Sequence, residues 1–205
     1  MRLRHPPGRA GRLWLEHRVE VARRGADLLD KKRRALVLEQ SRLRVLARET
    51  EEYWNATARE AESWLNRAAV MAGEEKVAIL ATQHSAAEVT VRWRSSMGVA
   101  FASEAILDLG PSPGGVSGGS AASDLAVTAS RRAVEAAVKN AVARSALQRI
   151  SREVAVTMRR QRALERRWLP TLSAALVRLN HELDEREREE ATRVLWTVRK
   201  KGRQR

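Results

Sequence analysis

The chain has 205 residues, a formal net charge of +14 and no cysteine, which excludes a disulfide framework, a thiolate zinc site and a cysteine nucleophile. Ala, Arg, Leu, Glu and Val dominate and only one Phe and one Tyr occur, so a helical fold is favoured over an all-β or doubly wound one. The longest apolar run, Val77 to Ala81, falls far short of the roughly 20 residues of a membrane-spanning helix, and the arginines at 2, 4, 9 and 12 with two prolines read against a secretory signal.

In chain order, residues 1–11 form a basic N-terminal extension and residues 12–76 a first long helix. Between Leu13 and Ala72 there is no proline and a single glycine, Gly25. Leu15, Ala22, Leu29, Leu36 and Leu43 recur every seven residues, with Val19, Ala26 and Ala47 between them, the three-and-four spacing of a coiled-coil seam. Arg33 and Gln40 interrupt the interleaved set; polar seam residues lower stability and can set register. About sixty residues at 1.5 Å each would run roughly 90 Å, and such a stripe needs a partner helix.

Residues 77–123 have a different grammar and read as a small head. Val89, Val91 and Trp93 alternate with Thr90 and Arg92, Met97-Gly98 breaks the run, and Val99 and Phe101 resume a period of two, which predicts a β-hairpin over about 88–102 with Gly98 in the turn. Residues 110–120, rich in Gly, Ser and Pro, read as a flexible loop, with Ser123 or Asp124 capping the next helix. That helix covers 124–200: Val134, Val138, Leu147, Ile150, Val154 and Met158 make a loose stripe, and Leu169, Leu172, Leu176, Leu179 and Leu183 a tight one. Pro170 should open it near Arg166, since it lacks a backbone donor and crowds the carbonyl four residues back. Residues 201–205 are a basic tail. The fold class is mainly α: a long antiparallel two-helix coiled coil, made by the N- and C-terminal helices, with a small central head containing a short β-hairpin.

Catalytic patterns are missing from this reading. The glycine-rich loop has no Gly-Lys-Ser/Thr ending and reads as a linker. His5, His17, His84 and His181 are scattered without metal-ligand spacing, and the carboxylates of 182–190 alternate with arginines as a salt-bridged helix face does. No catalytic, cofactor or metal residue is assigned. The positive charge leaves a basic coiled-coil nucleic-acid-binding protein as the alternative, although Lys and Arg are interspersed with acidic residues and the head lacks closely spaced aromatics for base stacking.

Three segments carry a more specific signal. Val21-Ala22-Arg23-Arg24-Gly25-Ala26-Asp27-Leu28-Leu29-Asp30-Lys31-Lys32-Arg33 in the first helix, Met97-Gly98-Val99 in the head, and in the second helix Arg162-Ala163-Leu164-Glu165, Leu169-Pro170 and Leu183-Asp184-Glu185-Arg186-Glu187-Arg188-Glu189-Glu190 together resemble the D subunit of V-type and archaeal-type ATPases over nearly the whole chain. The resemblance implies a non-catalytic central-stalk rotor subunit of a proton-translocating ATPase or ATP synthase, which couples ion flow through the membrane sector to ATP synthesis or hydrolysis by rotation. It also implies a set of partners: the catalytic and regulatory ring subunits (A and B), a small stalk subunit (F), and a socket subunit (C/d) on the membrane ring. There would be no small-molecule substrate, no cofactor, no specific nucleic acid and no membrane span of its own, and the location would be cytoplasmic, peripheral to the cell membrane. On this reading Leu15, Val19, Ala22, Ala26, Leu29, Leu36, Leu43, Leu169, Leu172, Leu176, Leu179 and Leu183 form the seam. Trp93, Met97, Gly98 and Val99 are the hairpin contacts to the stalk, and Arg12, Arg18, Arg24, Lys200 and Lys201 are the candidate contacts to the ring.

Overall fold

The structure, a computed structural model, describes residues 6–82, 86–110 and 120–202. Its elements are α1 (Gly8–Ala72), α2 (Glu74–Thr82), β1 (Glu88–Ser96), β2 (Val99–Asp108), α3 (Ala121–Ala163), a π-helical turn (Leu164–Trp168) and α4 (Leu169–Gly202). Two compact units divide the chain, Arg34–Ala155 and Met1–Arg33 with Val156–Arg205, so α1 and α3 each contribute to both.

Helix boundaries follow local chemistry. α1 stops at Ala72 rather than running to 76 because Gly73 takes φ +89, the left-handed state that ends helices; its N–H closes on the Ala69 carbonyl at 3.0 Å. α2 restarts at once, with Glu74 and Glu75 in its first turn facing the positive end of the helix dipole. α3 is capped by Ser120, not by Ser123 or Asp124: the Ser123 N–H donates to Ser120 Oγ at 3.3 Å, while Ser123 itself is buried. The Gly/Ser/Pro loop expected at 110–120 lies, apart from its two ends, outside the described residues, as do the first five residues of the N-terminal extension and 203–205 of the tail.

The β-hairpin pairs Ser96 with Val99, leaving a two-residue loop, Met97-Gly98, with φ of 50 and 78. Two successive positive φ values define the type I′ turn, whose twist matches that of paired strands. Gly98 adopts this state without strain, whereas Met97 carries a Cβ into it. Met97→Asn is therefore expected to stabilise the hairpin by about 0.5–1 kcal/mol, read as a raised midpoint of thermal unfolding. β2 runs to Asp108 instead of ending near 102. Arg92 pairs with Glu104 but Trp93 with Ala102, so Ser103 is the extra residue of a β-bulge, and its hydroxyl donates to the Arg92 carbonyl at 3.2 Å. That extra residue breaks the period of two on which a sequence reading of the strand depends.

Within the Arg34–Ala155 unit, α1 and α3 are antiparallel: Gln40 bonds Ser151 at 2.9 Å, and further along α1 Glu60 meets Arg132, lower in α3, at 4.0 Å. The core gathers Leu36 and Leu43 from α1, Ala146, Ile150 and Val154 from α3, and Val99 and Phe101 from β2. Beyond it the α3 stripe turns small: Ala122, Ala126, Ala129, Ala136 and Ala143 are buried, opposite a stretch of α1 that supplies half-buried Trp54 and Trp64. Trp64 packs against Ala68 of its own helix and Ala122 and Ala126 of α3, a large side chain beside small ones. Val134, expected in the stripe, is instead 41% exposed, because the Ala136 position, not its larger neighbour, lies on the contact line.

The second unit also pairs antiparallel helices. Arg9 reaches Glu187 at 3.0 Å and Arg33 reaches Gln161 at 3.1 Å. Leu15 and Val19 pack on Leu172, Ala175 and Leu179, flanked by Trp14, Ala22, Leu169, Leu176 and Leu183. Gly11 continues this stripe one step toward the N-terminus: a Cβ there would lie 1.9 Å from the Pro6 carbonyl oxygen and 3.2 Å from Leu179 Cδ2, so only glycine fits. Pro170 lies just beyond the π turn, and Arg166, where the helix was expected to open, lies inside it. The Leu169 N–H bonds the Leu164 carbonyl.

Candidate coupling surfaces

The seam residues named from sequence occupy shielded positions in their own units. Leu15, Val19, Ala26, Leu36, Leu43, Leu172 and Leu179 are buried; Ala22, Leu29, Leu169, Leu176 and Leu183 are half-buried. The two polar interruptions are satisfied across the pair. In one unit Gln40 donates to Ser151. In the other, Arg33 donates to Asp30 Oδ1 at 2.7 Å and to Gln161 Oε1 at 3.1 Å, and the Gln161 amide donates to Asp30 Oδ1 at 3.3 Å and Glu165 Oε1 at 2.9 Å. Partnered in this way, the polar groups avoid the desolvation penalty that orphaned ones would incur, and they disfavour any slipped register.

The hairpin separates its four named residues. Val99 turns into the core and Gly98 makes the turn, whereas Trp93 is 68% and Met97 48% exposed. Alternation puts Val89, Val91 and Trp93 on one face of β1, all exposed, and Trp93 borders a groove shared with Ser145, Gln148, Arg149 and Arg152 of α3. An aromatic ring beside guanidinium groups, on a strand face otherwise made of Val89 and Val91, has the composition of a docking hot spot.

The basic candidates differ in how free their charge is. Arg12 donates to Glu16 at 2.9 Å, and that hydrogen bond and charge push its pKa further above the ordinary arginine value. Arg24 is paired with Glu20. Arg18 lies over the Trp14 ring, 4.8 Å from its centroid, a contact that leaves the positive charge facing outward. Lys200 and Lys201 belong to α4, but their side chains lie outside the described residues. Sequence reading passed over the neighbouring apolar run: Val194, Leu195, Trp196 and Val198 are all exposed. Four large apolar residues within five positions, spread over about 200° of the helix circumference, were the available signal.

A cavity of about 280 Å³ opens beside α2, lined by Leu65, Ala68, Val77, Leu109, Val127 and Val134. Arg131 is the one charged residue on its wall among the described residues, and its guanidinium is held by the Gly110 carbonyl at 2.7 Å. Among the described residues, no three His, Asp or Glu side chains gather as a metal site, and no helix is long and apolar enough to cross a membrane.

Antiparallel helix pairs in both units and one β-hairpin define a mainly helical protein built on paired helices. The model of the ATP synthase D-subunit family matches residues 13–198, and the chain belongs to that family, whose members are components of the A-type and V-type ATP synthases. It is 30% identical over 195 residues to the A-type ATP synthase D subunit of Haloquadratum walsbyi, covering 92% of this chain and 83% of the relative. The corresponding values are 31% over 193 residues for the A-type ATP synthase D subunit of Thermococcus kodakarensis (92% and 90%). For the V-type ATP synthase D subunit of Thermus thermophilus they are 33% over 196 residues (92% and 85%).

Proposed function

We propose that this chain is the central-stalk rotor subunit of its ATP synthase complex and has no catalytic activity of its own. Family membership over nearly the whole chain carries the reading; the seams and the partnered polar layer support it. Paired helices resist twist better than a single one, and a charged outer face can move within a protein sleeve without adhering to it. In this role the helix ends that carry Arg12, Arg18, Arg24, Lys200 and Lys201 enter the ring of catalytic (A) and regulatory (B) subunits. The hairpin carrying Trp93 and Met97 receives the small stalk subunit (F), and the head docks on the membrane-ring socket (C/d). The complex sits at the cytoplasmic face of the cell membrane, and this chain is peripheral to it.

Co-purification of the tagged full chain from its native membranes, in high salt with nuclease, tests the assignment. Ring and stalk subunits should be retained; retention of nucleic acid before nuclease and of no protein after it would instead favour the basic nucleic-acid binder. The ring contacts have their own test. Arg12→Glu with Arg18→Glu is expected to weaken ring association by about tenfold at low salt and by less at high salt, because rim charges act through a screened field. Association unchanged at either salt would remove these arginines from the interface.

A further inference from the structure

In the unit formed by Met1–Arg33 and Val156–Arg205, the two facing stripes do not obey the same rule. Along α1, Leu15, Val19, Ala22, Ala26, Leu29 and Arg33 step by four and three without a break. On the facing side Thr157, Gln161 and Leu164 keep that rule, and Leu169, Leu172, Leu176 and Leu179 keep it again, but the step from Leu164 to Leu169 is five. At about 100° per residue, one surplus residue in a regular α-helix would swing Leu172 and Leu179 away from Leu15 and Val19. They nonetheless pack together in one cluster. The surplus residue is taken up between them: the Leu169 N–H reaches back five residues to the Leu164 carbonyl, so a single wider turn holds one more residue and returns the leucines to the face they need.

We infer that the Leu164–Trp168 turn is a one-residue skip imposed by the seam, and that it is the weak joint of the second helix. Pro170 is not its cause. A proline removes the N–H that would bond the Arg166 carbonyl, but the five-residue leucine step requires the wide turn whether or not a proline follows. Proline is tolerated here because the ladder is already reset. A latch closes the joint from outside the backbone, since Gln161, one turn before it, bonds Asp30 on α1 and Glu165 inside it.

The full-length chain tests this through backbone hydrogen exchange and chemical denaturation. The amides between 165 and 171 should exchange at least about tenfold faster than those of 155–162 and 173–180, the mark of a locally weak ladder. Pro170→Ala alone should keep that fast window. Deleting Arg166 in the Pro170→Ala background should remove the surplus residue, slow the window to the level of its flanks and preserve the unfolding midpoint. Inserting an alanine after Arg166 should instead lower the midpoint, because two surplus residues cannot be absorbed in one turn. Loss of the fast window in Pro170→Ala alone would make the proline the cause and overturn the inference. So would a deletion variant destabilised as much as the insertion.

Discussion

Ile150→Ala is expected to destabilise the Arg34–Ala155 unit by about 2–5 kcal/mol, the range for removing a fully buried branched side chain whose site cannot collapse. Ile150 is fully buried and shares its cluster with Leu36 and Leu43 of α1 and with Val99 and Phe101 of the hairpin, so truncation opens a void where three elements meet. None of the three can close it without losing contact with another. Leu38→Ala is the matched control: Leu38 is 74% exposed on α1, and its truncation should change stability by no more than about 0.5 kcal/mol. Urea denaturation followed by helical circular dichroism separates the two. Equal midpoints would place the core of this unit elsewhere.

Trp93→Ala should weaken binding of the small stalk subunit by about 30-fold or more while leaving the unfolding midpoint near the wild-type value. An exposed aromatic beside arginines, on a strand face it shares with Val89 and Val91, has the make-up of residues that cost about 2 kcal/mol or more when truncated in an interface. Because Trp93 is largely exposed and is not part of the core cluster, its removal opens no buried cavity. Isothermal titration of the full chain with the purified stalk subunit gives the affinity directly, and an unchanged value would move the docking surface off the hairpin.

Sequence periodicity located these features unevenly, for physical reasons. The α1 stripe was legible because large and small apolar residues recur on a strict seven-residue period from Leu15 to Leu43. The α3 stripe was legible in its later half, where Ile150 and Val154 are buried and Leu147 packs against them, but not in its earlier half, where the contact line is drawn by Ala126, Ala136 and Ala143 and alanine is also the residue an exposed helix prefers. There attention to size picks Val134, which is exposed. The polar seam residues Arg33 and Gln40 were visible as interruptions, but their partners Gln161 and Ser151 lie more than a hundred residues away and follow only from the antiparallel pairing. The hairpin turn was legible from Met97-Gly98, whereas the bulge at Ser103 hid the outer half of β2. At the π turn, the five-residue step from Leu164 to Leu169 is plain in the sequence, but templates of three and four register it as the end of one stripe and the start of another.

The functional surfaces were less legible than the fold. Val99 and Trp93 are large apolar residues of the same hairpin, and only three-dimensional packing sends one into the core and leaves the other outside. The basic ends show the same limit: Arg12, Arg18 and Arg24 are equivalent in sequence, yet a carboxylate engages the first and third while a tryptophan face carries the second.

Because the chain contains no cysteine, a single one placed at the exposed Thr90, on the strand face opposite Trp93, gives a unique attachment point for a rotation probe. With the catalytic ring immobilised and ATP supplied, the central-stalk assignment predicts sustained rotation of that probe in one direction, stopping when ATP is withdrawn. A probe that stays fixed, or that only fluctuates, while the same complexes hydrolyse ATP would contradict it.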